Sequence, residues 1–83
     1  MSFYVYMLVS IGRIKIKSYV GDTNNLQARL YKHNSNKGAK STKGYKWKII
    51  FKKKFLNKSD ALSFEYILKK NRKKRKFLIE KNK

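Results

Sequence analysis

Two tyrosine-centred triplets stand near the N-terminus, Tyr4-Val5-Tyr6 and Tyr19-Val20-Gly21, and Arg29, His33 and Glu65 follow them in order. Together Tyr6, Tyr19, Arg29, His33 and Glu65 offer two phenols, one fixed cation, one imidazole and one carboxylate. Such a set suits the cutting of a phosphodiester. A planar guanidinium grips two phosphate oxygens at once. An imidazole shuttles protons near neutral pH. A phenol of pKa about 10 is a poor base alone, but nearby cations favour its phenolate form. A carboxylate is a hard oxygen ligand for Mg²⁺ or Mn²⁺, which bind through few protein groups plus waters and substrate phosphate.

Each residue also has a plainer reading. Tyr6 and Tyr19 suit a sheet core. Arg29 suits a helix surface, and His33 suits a helix end where the dipole favours it. Glu65 could bridge to a lysine. Its neighbours Ala61, Phe64 and Leu68 should face the core, however, and a carboxylate near that face is costly unless paired or metal-bound. With only 4 acids in the chain, the metal reading is favoured. Lys37-Gly38-Ala39-Lys40-Ser41-Thr42 lacks the spacing of a P-loop, yet such residues beside glycine can hold phosphates. Lys17, Lys37, Lys40, Ser41, Thr42, Lys69 and Arg72 are the expected nucleic-acid contacts.

These groups need elements to position them. Phe3 to Val9 is a nearly continuous aromatic and β-branched run, as in a strand buried on both faces. Ser10-Ile11-Gly12-Arg13 reads as a turn. Ile14 to Val20 alternates apolar and polar, as a strand with one wet face does. A hairpin of the two places Tyr6 and Tyr19 on adjacent strands. Asp22-Thr23-Asn24 is rich in capping residues and predicts a helix from Asn25 to about Asn34. In it Leu26 and Leu30 form the inward stripe and Arg29 and His33 share a neighbouring face. Ser35 to Tyr45 reads as a loop, and Trp47 to Phe55 as a third strand. Asn57-Lys58-Ser59-Asp60 opens a second helix that runs to Leu68. Asn71 to Lys76 is a basic stretch, after which Phe77-Leu78-Ile79 docks a short last helix. The predicted order is β-β-α-β-α-α.

Composition favours a nucleic-acid partner over a membrane surface. The 83 residues carry 23 Lys+Arg against 4 Asp+Glu, a net charge of +19. That excess is the footprint of a polyanion partner. A lysine-rich proteome would inflate it too, since arginine stands only at positions 13, 29, 72 and 75. Self-repulsion weakens a compact state, however, and so needs a reason. The length predicts one domain over residues 1–83. At this size about 60 % of the unfolded surface is buried on folding. Absence of cysteine rules out disulfides and thiolate metal sites and fits a cytoplasmic setting. No run is long enough to span a bilayer. The N-terminus lacks a basic leader and reads as a strand and not a signal peptide.

In this order the residues resemble the GIY-YIG nuclease superfamily, closest to its short stand-alone bacterial members. Tyr4-Val5-Tyr6 matches the first triplet, with Tyr4 at the name-giving glycine. Tyr19-Val20-Gly21 matches the second. Asp22-Thr23-Asn24-Asn25-Leu26, Arg29-Leu30, His33-Asn34, Gly38-Ala39-Lys40-Ser41-Thr42, Trp47, Ser59-Asp60-Ala61, Glu65 and Leu68-Lys69 continue the match over nearly the whole chain. The connection through Arg13-Ile14-Lys15-Ile16-Lys17 is longer than a tight turn. The resemblance implies an α+β fold, a small three-stranded antiparallel sheet flanked by helices. It implies one divalent metal on Glu65, Mg²⁺ or Mn²⁺. It implies that the Tyr19 phenol acts with Tyr6 to activate water, while Arg29 steadies the phosphate and His33 assists. The expected activity is metal-dependent hydrolysis of DNA, in repair or in processing of structured DNA. RNA stays open as a substrate, and a weakly active or inactive nucleic-acid binder on the same fold is the alternative. Larger relatives carry a separate DNA-binding domain. Here the basic surface itself, or a targeting protein partner, is expected to find the substrate.

Overall fold

The computed structural model describes residues 2–12 and 14–82. Arg13, which closes the expected first turn, lies outside them, as do Met1 and Lys83. Three strands, β1 (Phe3–Ile11), β2 (Ser18–Thr23) and β3 (Lys46–Phe55), form one antiparallel sheet in the order β2-β1-β3. The helices are α1 (Leu26–Asn34), α2 (Lys58–Lys70) and α3 (Arg72–Lys81), and a single 3-10 turn, Lys40–Thr42, breaks the loop before β3. The predicted order and α+β architecture hold.

The central strand explains the layering. β1 is buried on both faces because both are covered. Val5 and Met7 pack with Val20, Ala61, Leu68 and Leu78 beneath α2 and α3. Tyr6 and Leu8 pack on the other face with Trp47, Tyr19, Leu26 and Leu30 beneath α1. Each such aliphatic side chain, fully buried, contributes about 1.5–3 kcal/mol. A register shift between Met7 and Leu8 moves the β3 partner from Phe51 to Ile49, the signature of a bulge that re-aims neighbouring side chains.

Three expectations are corrected. The second strand is not Ile14–Val20 but starts at Ser18 and continues through Thr23. Extending the pairing of Val9 with Ser18 would put Arg13 and Ile14 at the centre of a two-residue turn, where positive φ is required and neither residue favours it. Gly12, at φ 79°, takes the left-handed backbone instead. Residues 14–17 lie outside the sheet, and Ile14 is exposed. Asp22 and Thr23 are therefore strand residues, and the α1 cap is Asn25, whose side chain accepts from the Ala28 N–H at 3.1 Å. The basic stretch after Asn71 is itself the body of the last helix. Asn71 caps α3 by accepting from the Lys74 N–H at 3.0 Å, while Leu78 is the residue that docks.

Candidate active site

Tyr6 points to the α1 face of the sheet, opposite Gly21 on β2 and diagonal to Tyr19, which pairs with Leu8. The two rings lie 6.3 Å apart. Gly21 is needed for that approach. A Cβ built on it would sit 2.7 Å from the Tyr6 hydroxyl and 2.9 Å from the Tyr19 ring. The glycine of the second triplet is thus a packing requirement of both tyrosines.

α1 brings its two candidates in from above, one turn apart. His33 is fully buried. Its Nε2 is 2.8 Å from the Tyr6 hydroxyl and its Nδ1 is 3.0 Å from Thr42 Oγ1. The Tyr19 ring stands 4.9 Å from the imidazole. Arg29 Nε donates to the Tyr6 oxygen over a long 3.4 Å. That contact, with a smaller one from the Tyr19 hydroxyl, pushes the guanidinium above its ordinary pKa. Burial, helped by the Arg29 charge, holds His33 below its usual value. Tyr6 goes the other way from expectation. The lysine-rich sequence suggests that cations lower it. Burial outweighs Arg29 and pushes the phenol up to about 12, so Tyr6 is a neutral hydrogen-bonding group.

Glu65 comes from α2, on the opposite face of the sheet, beside Asp22 of β2. It is 9 % exposed. Lys69, one turn on, donates to Oε2 at 2.8 Å. Oε1 is buried without a partner among the described residues. Burial and the carboxylate of Asp22 both push Glu65 upward, and Lys69 offsets only part of this. Lys69 also feels Tyr19 and Asp22 and lines a groove with Ser18, Tyr19, Val20 and Arg75, so it stands between the carboxylates and the Tyr19 side. Two crowded carboxylates with an orphaned oxygen are a hard, oxygen-only donor set. They fit a divalent cation that needs one or two carboxylates plus water and phosphate.

The expected phosphate contacts divide. Lys37, Lys40, Ser41 and Arg72 are exposed, and Lys17 lies over the Tyr45 ring at 4.7 Å. Lys69 is engaged with Glu65. Thr42 is a correction. It is fully buried, its hydroxyl donates to the Ala39 carbonyl at 2.8 Å, and its own carbonyl accepts from Trp47 Nε1 at 3.0 Å. It supports His33 and offers nothing to solvent. A basic groove lined by Ser18, Arg72, Lys73, Arg75, Lys76 and Ile79 adjoins the Tyr19–Lys69 groove through Ser18 and Arg75.

Sequence reasoning misses three supports. Asp22 has the residue type of a cap and is instead the second carboxylate. Gly38 has the setting of an ordinary loop glycine, yet a Cβ there would collide with His33 Nδ1 and approach its Cα to 3.0 Å. Asn34 clamps β3 to α1, accepting from the Trp47 N–H at 2.6 Å and donating to the Trp47 carbonyl at 3.2 Å. The spacing of His33-Asn34 to Gly38 and Trp47 is the signal that points to the last two.

Residues 2–78 match the GIY-YIG catalytic domain. A UPF0213 protein of Oceanobacillus iheyensis is 46 % identical over 68 residues, 80 % of this chain and 74 % of that protein. A UPF0213 protein of Limosilactobacillus reuteri is 37 % identical over 83 residues, 94 % of this chain and 83 % of that one. The solution NMR structure of a UPF0213 protein from Bacillus halodurans superposes with TM-score 0.52 at 32 % identity, covering 96 % of this chain and 84 % of the other.

Proposed function

The chain belongs to the GIY-YIG family and its UPF0213 members, and from that premise we propose that it is a metal-dependent endonuclease hydrolysing phosphodiester bonds in DNA. The observation that carries the reading is the buried Glu65 carboxylate, whose Oε1 has no partner among the described residues and whose ion-pair partner Lys69 lines one groove with Tyr19 of the Tyr6–Tyr19–Arg29–His33 cluster. Glu65, with Asp22 beside it, would hold Mg²⁺ or Mn²⁺. Bound there, the cation would supply Lewis-acid stabilisation of phosphate charge. Arg29 binds a non-bridging phosphate oxygen, with Tyr6 as the neutral post that orients its guanidinium. Tyr19, half-buried and lining the groove, is the phenol that reaches substrate and orients the attacking water. Fixed donors aimed at developing charge supply most of the rate enhancement in such reactions. The basic groove along α3 guides the strand, and DNA in the cytoplasm is the partner proposed for it. Among the described residues no helix is long and apolar enough to cross a membrane.

A second reading has its own observation. Lys69 already neutralises one Glu65 oxygen, which would leave a nucleic-acid binder with little cutting activity. Cleavage of labelled duplex, nicked, flapped, branched and single-stranded DNA with Mg²⁺ or Mn²⁺ separates the two. The nuclease reading expects wild type to cut while Glu65→Ala and Tyr19→Phe bind without cutting. Binding without cutting by wild type on every substrate would leave the binder.

A further inference from the structure

The hydrogen bonds around His33 have a direction that the distances alone do not state. Thr42 has one hydroxyl proton, and at 2.8 Å the Ala39 carbonyl takes it. Toward His33 Nδ1, at 3.0 Å, Thr42 Oγ1 is then an acceptor, so Nδ1 must carry the imidazole proton. Burial keeps the ring neutral, which leaves Nε2 bare. Tyr6, 2.8 Å away, donates to it. The Tyr6 oxygen keeps its lone pairs for Arg29 Nε at 3.4 Å. In the other tautomer Nε2–H and Arg29 would both donate to Tyr6. The Tyr6 proton, on a side chain 1 % exposed, would then have no acceptor in these contacts, and an unmet buried donor is costly.

We infer that Thr42 is a positioning residue: it fixes His33 as the Nδ1–H tautomer and thereby, through Tyr6, sets the orientation of Arg29. The placement of the surrounding chain agrees. Gly38 leaves room for the ring where any Cβ would collide with Nδ1. The 3-10 turn Lys40–Thr42 places the hydroxyl under it, and Trp47 Nε1 pins the Thr42 carbonyl at 3.0 Å. The Gly38–Thr42 segment, a phosphate loop by residue type, is thus a socket for one histidine. The consequence for catalysis rests on the nuclease reading; the tautomer does not.

The chain has 1 His, so protein labelled with ¹⁵N-histidine gives one pair of ring-nitrogen signals, and multiple-bond ¹H–¹⁵N spectra near pH 8 read the tautomer directly. Wild type should show a protonated Nδ1 and a bare, pyridine-like Nε2. Thr42→Ser should keep that pattern. Thr42→Val should lose it, by averaging or by a switch to Nε2–H, with the sheet amide spectrum reporting that the fold persists. Should Thr42→Val not fold, Tyr6→Phe decides, because Thr42 alone should still hold Nδ1–H there. A wild-type ring protonated on Nε2, an unchanged pattern in Thr42→Val, or a switch in Tyr6→Phe would each overturn the inference. On any substrate the protein cuts, Thr42→Val should lower kcat with little change in KM, and Thr42→Ser should restore it. A chain that cuts nothing yet shows the predicted tautomer would sink the nuclease reading alone.

Discussion

The two faces of the sheet treat their buried polar groups in opposite ways. On the α1 face Tyr6, His33 and Thr42 satisfy one another and stay neutral, and the environment holds Tyr6 up and His33 down so that neither gains a charge. On the α2 face Glu65 and Asp22 crowd each other, Lys69 meets one oxygen, and another is left with no partner among the described residues. A satisfied network rigidifies and positions. An unmet buried carboxylate costs stability in the free protein, and a bound cation offsets that cost. On the proposed reading, the first face would orient and hold the phosphate and the second would hold the cation.

The largest effects should come from removing a group that touches phosphate or metal. Arg29→Ala should lower kcat by about 100-fold or more, the scale of losing one fixed donor to developing charge, as measured by single-turnover cleavage. Glu65→Gln should also abolish cutting but act on stability with the opposite sign. In the absence of divalent metal it should stabilise the fold by on the order of 1 kcal/mol, raising Tm by about 4–8 °C. A lower Tm for Glu65→Gln would contradict the claim that this face is unsatisfied.

Acid should separate the faces. The folded pKa of Glu65 is raised, so its contribution to stability is full below the unfolded carboxylate value and is lost as pH rises through the folded one. The Glu65→Gln advantage should therefore shrink as pH falls. His33 is lowered, so its contribution is full above the unfolded value, near pH 6.5, and is lost as pH falls through the folded one. Denaturant midpoints for wild type, Glu65→Gln and His33→Asn across pH 4–8 check both slopes. Gly21→Ala comes next. Its methyl would press on the Tyr6 hydroxyl and the Tyr19 ring, an overpacking that costs about 1–3 kcal/mol, whereas Gly12→Ala should be felt only through its positive φ. The smallest expected effect is on binding. If about six phosphates are held, the log–log salt slope is near −5, and Arg72→Ala should make it shallower by about 1.

Much of this is legible in the chain because it depends on local pattern. The apolar run of β1, the leucine stripe of α1 and the Asn57 cap of α2 each follow from spacing. Tyr6, Tyr19, Arg29 and His33 fall together because a hairpin and one following helix are enough to gather them. What the sequence hides depends on depth. Burial decides the direction of the Tyr6 shift, and a sequence full of lysine points the other way. Thr42 looks like a phosphate contact until its distance from solvent is known. Asp22 looks like a cap until the strand it belongs to ends one residue later. The β2 boundary is lost because alternation at Ile14 to Lys17 persists past the point where there is sheet to pair with.

The central claim is that the two faces act on one phosphate. The most direct measurement follows Mn²⁺ binding by electron paramagnetic resonance and cleavage of the preferred DNA in the same samples of wild type, Glu65→Gln and Tyr19→Phe. The account predicts that Glu65→Gln loses both metal and cleavage, while Tyr19→Phe keeps the metal and loses cleavage. A Glu65→Gln protein that binds Mn²⁺ and cuts like wild type, or a Tyr19→Phe protein that cuts at the wild-type rate, would contradict it.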